Sequence, residues 1–247
     1  MNRYLAIVPA YDEVGAIAAT VSEIRAAAPQ FDVLVIDDGS TDATAATASA
    51  AGARVVRLPF NVGIGGAVQT GYIYAREHGY EVAVQVDGDG QHDAHDIPRL
   101  LEALHAEPGT HLVTGSRFLG PPGGDRSSAA RRVGIAVFAR VVSLLTRQQV
   151  TDPTSGFRMT DRRGIELFAQ EYATDYPEVE AIVLAHNYAL HTHEIAVQMR
   201  PRTSGSSRIS TSVSAYYLVK VLLAVLVSAL RARPLLEPGP LGKTARP

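Results

Sequence analysis

Two carboxylates one residue apart, Asp87 and Asp89, end an apolar run from Val82 to Val86 and stand among the glycines Gly88 and Gly90. Oxygen donors at that spacing can share a hard divalent cation, and such a cation usually keeps phosphate oxygens among its other ligands. The chemistry to expect is a metal–diphosphate site. The apolar run reads as a buried strand, and in an open α/β sheet ligands sit in the crevice beyond the carboxyl ends of the strands. Taken alone, the motif is equally compatible with a solvated turn rich in Asp and Gly.

The elements around it alternate. Tyr4–Val8, Val33–Ile36, Arg54–Leu58, Val82–Val86 and His111–Gly115 read as strands. Helical stretches separate them: to about Ala28, to about Ala51 behind a Ser40 or Thr41 cap, from a glycine-rich entry at Asn61–Ala67 to near Gly79, and from Asp96 to Ala106. Strands alternating with helices of this length predict an α/β fold with a mostly parallel sheet covered by helices on both faces. Polar or glycine-rich breaks follow four strands, at 9–13, 37–42, 61–66 and 87–93. In a parallel sheet these breaks converge on one edge, which argues for a site more strongly than any single motif does.

Beyond Gly115 the pattern changes. Residues 120–128 form a Gly/Pro-rich loop without an apolar anchor, expected to move and able to close over a site. Helices are expected at 129–146, 161–168 and 177–189, and a strand at 194–199. Asp152 could cap a helix-like segment or belong to the site. His92 is expected to pack or to support its neighbours rather than bind metal. His191 and His193 face one side of an alternating segment and are read as exposed. Residues 213–230 are eighteen mostly apolar positions with one lysine, Lys220. As a helix they reach about 27 Å, just short of a comfortable span. A helix lying in the membrane interface or docked on the domain is favoured. The expected organisation is a catalytic domain at 1–212, this helix at 213–233 and a disordered tail at 234–247.

The chain of 247 residues is 46% hydrophobic and 19% charged, enough for a sizeable core. It has no cysteine, which excludes disulfides, thiolate metal sites and cysteine nucleophiles. Its start runs straight into a strand without a signal-peptide pattern, so a cytoplasmic location is expected. The net charge of −2 conceals an asymmetry: residues 198–247 carry +7 and residues 1–197 carry −9. A basic end beside an apolar helix suits an anionic membrane surface. It has few aromatics and no reader motif for nucleic acid.

The motifs together resemble the family 2 glycosyltransferases: Pro9-Ala10-Tyr11-Asp12-Glu13, Val35-Ile36-Asp37-Asp38-Gly39-Ser40-Thr41-Asp42, Asn61-x-Gly63-x-Gly65-Gly66-Ala67 and Asp87-x-Asp89-Gly90-Gln91-His92, in this order. Gly115-Ser116-Arg117, Asp152-Pro153-Thr154-Ser155-Gly156-Phe157-Arg158, Tyr176-Pro177-Glu178 and Arg202-Thr203-Ser204-Gly205-Ser206-Ser207 are similar to the dolichol-phosphate mannose synthase-like branch. The resemblance covers about residues 4–233. It implies a GT-A fold that binds a nucleotide sugar. It puts Pro9, Tyr11, Glu13, Asp38, Gly65 and Asp87 at the nucleotide, with Asp38 on the base. Asp87, Asp89 and Gln91 would hold Mg²⁺ or Mn²⁺. Asp12 stands where the family often has Asn, and Gly65-Gly66 where some relatives carry a Lys near the phosphates. Backbone N–H groups at the helix start could replace that contact.

The implied reaction transfers a hexose, from GDP-mannose or UDP-glucose, to a polyprenyl phosphate with inversion. A phosphate acceptor is already an anion and needs no general base, unlike a sugar hydroxyl. It needs cations to position it, and guanidinium groups match phosphate bidentately. Asp89 and Arg117 are the catalytic candidates. Arg117, Arg131, Arg158, Arg202, Arg208 and Ser207 are the acceptor-phosphate candidates, and Glu178 and Glu180 either orient arginines or face the acceptor. The expected partners are a nucleotide sugar, a polyprenyl phosphate lipid and the inner face of a membrane, with a homo-oligomer left open. Alternatives are transfer to a sugar or other soluble acceptor, and a non-catalytic nucleotide-sugar-binding module. A dinucleotide oxidoreductase is disfavoured, because Pro9-Ala10-Tyr11 stands where its Gly-x-Gly-x-x-Gly turn belongs.

Overall fold

The computed structural model describes residues 3–106, 108–120, 129–174, 177–200, 220–224 and 226–227, with only the backbone of 129–131. The expected mobile loop beyond Gly120, Tyr176, Arg202, Ser207, Arg208, most of the 213–233 helix and the 234–247 tail lie outside the described residues, as does the side chain of Arg131.

Among the described residues seven strands form one mixed, mostly parallel sheet. β1 (Tyr4–Ala10) lies between β2 (Phe31–Asp37) and β4 (Val82–Gln85), and β3 (Arg54–Arg57) flanks β2, all four parallel. The chain winds outward from β1 to β3 and then returns across β1 to β4. That return creates a crevice at the carboxyl ends of β1 and β4. The four polar breaks converge there as expected.

Strand alternation builds the two faces of the core. Ala6 and Val8 of β1 turn toward α1 (Ile17–Ala27) and α4 (Ile97–Ala106), where Ile17, Val21, Ile24, Ile97 and Leu100 are buried with them. Leu5 and Ile7 turn toward α3 (Gly63–Glu77) and α6 (Arg162–Gln170), against Val68, Tyr72, Ile165 and Phe168. Both faces are covered, so the central strands read as continuous apolar runs.

Three elements depart from the sequence reading. β6 (Arg158–Asp161) was not expected as a strand, because Met159 is its single apolar residue. It inserts antiparallel between β4 and β5 (Thr110–Ser116), opposite Gln85 and Thr114 at its first residue. The last strand, β7 (His191–Ala196), starts and ends three residues before the expected 194–199 and pairs parallel with β5. Met199 makes only an isolated bridge to His92. The second helix, α2, starts late, at Thr44. Ser40 does not cap it, because its hydroxyl accepts the Asp12 N–H at 3.0 Å.

Gly65 is set by packing. A Cβ there would lie 2.2 Å from the carbonyl oxygen of Ala173, a backbone atom that cannot rotate away. Gly65→Ala is therefore expected to destabilise the protein by about 2 kcal/mol, as overpacking against fixed neighbours does. Chemical denaturation checks this, and unchanged stability would contradict the close approach.

Candidate functional site

The site is built from the exits of β1, β2 and β4. After β1, Asp12 takes a left-handed conformation (φ 54°) that Asp tolerates better than most residues. Its carboxylate accepts the Thr41 N–H at 2.8 Å and the Thr41 hydroxyl at 3.2 Å. The Glu13 N–H donates to the Thr44 hydroxyl at 2.9 Å. The Asp at position 12 thus stitches the β1 exit to the β2 exit through an acceptor pair that a carboxylate supplies. Pro9 is buried in this floor, and Tyr11 and Glu13 are partly exposed at its rim.

After β2, Asp37 is fully buried and accepts the Ser40 N–H at 3.1 Å, with its other oxygen 3.2 Å from Arg57 Nε. Asp38 accepts the N–H groups of Val62 at 2.8 Å and Gly63 at 3.0 Å. Burial pushes the Asp38 carboxyl up, against the pull of those two amides, and the neighbouring Asp37 charge adds to the rise. The N–H groups of Val62 and Gly63 at the glycine-rich helix entry, suggested above for phosphate, are therefore taken by Asp38. Gly65 sits in the first turn of α3, where its role is the close approach to Ala173.

After β4, Asp87 and Asp89 lie at the crevice. Asp89 is 5% exposed, and its Oδ1 accepts the Gln91 N–H at 3.0 Å, which closes the turn. The Asp87 N–H donates to Nδ1 of His92 at 3.0 Å, which leaves the ring proton on Nε2. His92 is buried and stacked on Phe157 at 4.8 Å. Its Nε2 makes no hydrogen bond among the described residues and lies 3.7 Å from Asp87 Oδ2. Gln85 Nε2 donates to Asp87 Oδ1 at 3.3 Å. Gly156 lies against the same carboxylate: a Cβ there would fall 3.1 and 3.2 Å from its two oxygens. Two hard oxygen donors, an imidazole N–H orphaned beside one of them and a cradle that a side chain would fill suit a divalent cation of the Mg²⁺ or Mn²⁺ class. Gln91 donates its Nε2 to the Arg200 carbonyl at 3.2 Å, so its Oε1 is the amide atom suited to a cation.

A second group of metal-compatible side chains, Glu23, Asp93 and His95, lies nearby. Arg200 already ion-pairs with Glu23 at 2.7 Å and with Asp93 at 2.9 Å. That group is a charge brace, distinct from the Asp87–Asp89 pair.

On the far side of the crevice two of the expected acceptor arginines, Arg117 and Arg158, are engaged by groups of the chain itself. Arg117 donates from Nε and Nη2 to the two oxygens of Asp152 at 2.6 and 2.7 Å, and from Nη2 to the Thr154 hydroxyl at 2.6 Å. Asp152 therefore caps no helix; it is the buried partner of Arg117. Glu194 of β7 holds this turn by accepting the N–H groups of Thr151 at 2.8 Å and Asp152 at 3.1 Å. Arg158 is 1% exposed and donates to the carbonyls of Ser155 at 2.8 Å and Pro153 at 3.0 Å. It is the first residue of β6, and its buried Nη1 makes no hydrogen bond among the described residues. Arg158 reads from sequence as a phosphate contact because guanidinium–phosphate and guanidinium–carbonyl contacts require the same residue type.

Glu178, on α7 (Pro177–Asn187), completes the wall. Loss of water around its carboxyl raises its pKa, the Arg158 charge opposes the rise and the Asp87 charge adds to it. A carboxyl with a raised folded pKa gives full stability below its unfolded pKa, and that stability is lost as pH rises through the folded value. Glu178→Gln removes the loss. Its melting temperature is expected to climb relative to wild type as pH rises above the ordinary glutamate range of about 4. A pH-independent difference in thermal melts would contradict this. Sequence reasoning missed the supporting roles of Gln85, Gly156 and Glu194. The signal available for Gln85 was a polar residue inside an apolar strand.

Comparison with known proteins gives the chain's relatives. A family model described as Glycosyl transferase family 2 matches residues 5–169. The chain is 30% identical to an undecaprenyl-phosphate mannosyltransferase of Micrococcus luteus, over 94% of this chain and 98% of that one. It is also 30% identical to a polyprenol monophosphomannose synthase of Mycolicibacterium smegmatis, over 85% and 82% of the two chains. Among solved structures, glucosyl-3-phosphoglycerate synthase from Mycobacterium tuberculosis, in complex with Mn²⁺, UDP and phosphoglyceric acid, superposes with a TM-score of 0.72. That match has 20% identity and covers 94% of this chain and 79% of the other, which establishes a shared fold.

Proposed function

The chain belongs to glycosyl transferase family 2 and has the GT-A fold, and on that basis we propose that it moves a hexose from GDP-mannose or UDP-glucose to a polyprenyl phosphate, with Mg²⁺ or Mn²⁺, at the cytoplasmic face of a membrane. The observation that carries the donor half is the Asp87–Asp89 pair at the β4 exit, with buried His92 and close-packed Gly156 behind it. The names of the two bacterial relatives support the acceptor half and favour mannose.

A bound cation supplies charge neutralisation to the leaving diphosphate. The chain's own residues do the rest. Asp87, Asp89 and Gln91 present oxygens to that cation, while Pro9, Tyr11, Glu13 and Asp38 line the nucleotide side and Gly65 keeps the α3 entry close-packed beside it. An acceptor phosphate oxygen attacks the anomeric carbon as the bond from that carbon to the diphosphate oxygen breaks, so the nucleoside diphosphate departs and the centre inverts. No proton has to move. Arg117, locked by Asp152, holds the acceptor-side turn, and the contacts to the acceptor phosphate fall to Arg131, Arg202 and Ser207.

Among the described residues no helix is long and apolar enough to cross a membrane. Contact from one side is supported by α5 (Ala129–Thr146). Its outward face carries Val133, Val137 and Leu144, 65%, 37% and 73% exposed, together with Arg140, at helical spacing. The helix contains no acidic residue. Residue Val221 of the C-terminal helical stretch is buried against Phe138 and Val142, and Leu223 and Leu226 beside it are 61% and 46% exposed. An apolar face with cationic flanks fits an anionic lipid interface.

The test is transfer from labelled GDP- and UDP-sugars, with Mn²⁺ or Mg²⁺, to polyprenyl phosphate or to water-soluble hydroxylated acceptors. Metal-dependent label in the organic phase is expected. Label only on soluble acceptors, or nucleotide binding without any transfer, would overturn the reading.

A further inference from the structure

The turn that follows the two aspartates is braced by one arginine through both its main chain and its side chain. The Arg200 N–H donates to the Gln91 carbonyl at 2.9 Å, and the Arg200 carbonyl accepts Gln91 Nε2 at 3.2 Å. Next to them Met199 bridges His92, antiparallel. The guanidinium then reaches past the turn. Nη1 pairs with Glu23 of α1 at 2.7 Å and Nη2 with Asp93 at 2.9 Å. Both carboxylates also hold the turn itself: Glu23 accepts the Ala94 N–H at 3.3 Å, and Asp93 accepts the His95 N–H at 3.0 Å. Hydrogen bonding to Glu23 and then to Asp93 raises the Arg200 pKa further, so the brace keeps its charge.

The arrangement has a consequence for the amide of Gln91. A primary amide presents either its NH₂ or its oxygen in a given direction. With Nε2 fixed on the Arg200 carbonyl, Oε1 is directed to the other arm. If the brace is lost, the carbonyl moves and the amide is free to turn its NH₂ toward the cation, where it is repulsive. Contacts of this kind around a ligating group typically set metal affinity by tenfold or more.

We propose that Arg200 is a positioning residue for the cation: its carbonyl orients the Gln91 amide, and its ion pairs to Glu23 and Asp93 hold that carbonyl in place. The inference rests on the reading that Asp87, Asp89 and Gln91 take a divalent cation. Arg200 does not touch the reacting atoms.

The experiment is a titration of free Mn²⁺ by electron paramagnetic resonance in the presence of GDP or UDP, which reads binding without turnover. Four proteins are compared: wild type, Arg200→Ala, Gln91→Leu and the double variant. Arg200→Ala is expected to weaken Mn²⁺ binding about tenfold. In the Gln91→Leu background the same change is expected to do nothing more, because the orientation it protects is gone. Glu23→Gln, which removes one ion pair and spares the main chain, is expected to act in the same direction and by less. A brace that merely stiffened the fold would weaken Mn²⁺ equally in both backgrounds, and that result, or unchanged affinity in Arg200→Ala, overturns the proposal. Wild type that binds no Mn²⁺ with nucleotide would overturn the donor-site reading as well, and so the two failures are told apart.

Discussion

Asp89→Ala is expected to lower hexose transfer about a thousandfold or more, equivalent to about 4 kcal/mol of transition-state stabilisation. Asp89 is 5% exposed and adds the second hard oxygen to the pair at the β4 exit. Its loss leaves Asp87 alone to offset the positive charge, and the diphosphate departs without that charge in place. Asp89→Asn separates charge from geometry. The asparagine oxygen can still accept the Gln91 N–H that Asp89 Oδ1 accepts at 3.0 Å, so the turn persists while the anion is gone. Both variants should fail alike in the transfer assay and melt near wild type. Substantial activity in Asp89→Asn would show that the carboxylate serves the turn and not a cation.

Asp152→Ala is expected to carry the largest stability loss, about 3–5 kcal/mol, because it strands a buried guanidinium. The side chains of Arg117 and Asp152 are 8% and 0% exposed. Asp152 accepts three hydrogen bonds from Arg117, from the main-chain N–H at 3.2 Å and from Nε and Nη2 at 2.6 and 2.7 Å. Removing the acid leaves those donors without their charged acceptor in a space closed to water. Replacing both partners, in Arg117→Met with Asp152→Ala, removes the uncompensated charge and should recover much of the loss. Chemical denaturation measures this. An Asp152→Ala protein within about 1 kcal/mol of wild type would mean that the pair is an exposed surface contact instead.

The half of the protein before Gly115 was legible in the sequence because four of its five strands carry a longer apolar run and β3 keeps a Val55-Val56 pair, with polar or glycine-rich breaks after them. Hydrophobic period gives the strand, and the break marks the carboxyl edge. The second half was less legible. β6 opens on Arg158, whose buried guanidinium donates from Nε and Nη2 to carbonyls of its own turn, and no apolar pattern announces that. The Arg117–Asp152 pair joins residues 35 positions apart, so neither residue alone reveals that it is committed to the other. Asp38 was read by resemblance as a contact for the base, while in the fold its carboxylate accepts the first amides of the glycine-rich helix entry. Residue types and the strand pattern put the aspartate pair just beyond the carboxyl end of β4, where the fold has it. They do not separate the uses of Arg117 and Arg158, because a guanidinium serves a phosphate, a carboxylate and a carbonyl equally well.

Each role assigned to the donor side depends on a cation resting between Asp87 and Asp89. The direct measurement is an anomalous-difference map from crystals grown with Mn²⁺ and GDP or UDP. The expected result is one peak in contact with both carboxylates and with the nucleotide's diphosphate. A peak at Glu23, Asp93 and His95 instead, or bound nucleotide with no peak at the aspartate pair, would contradict it.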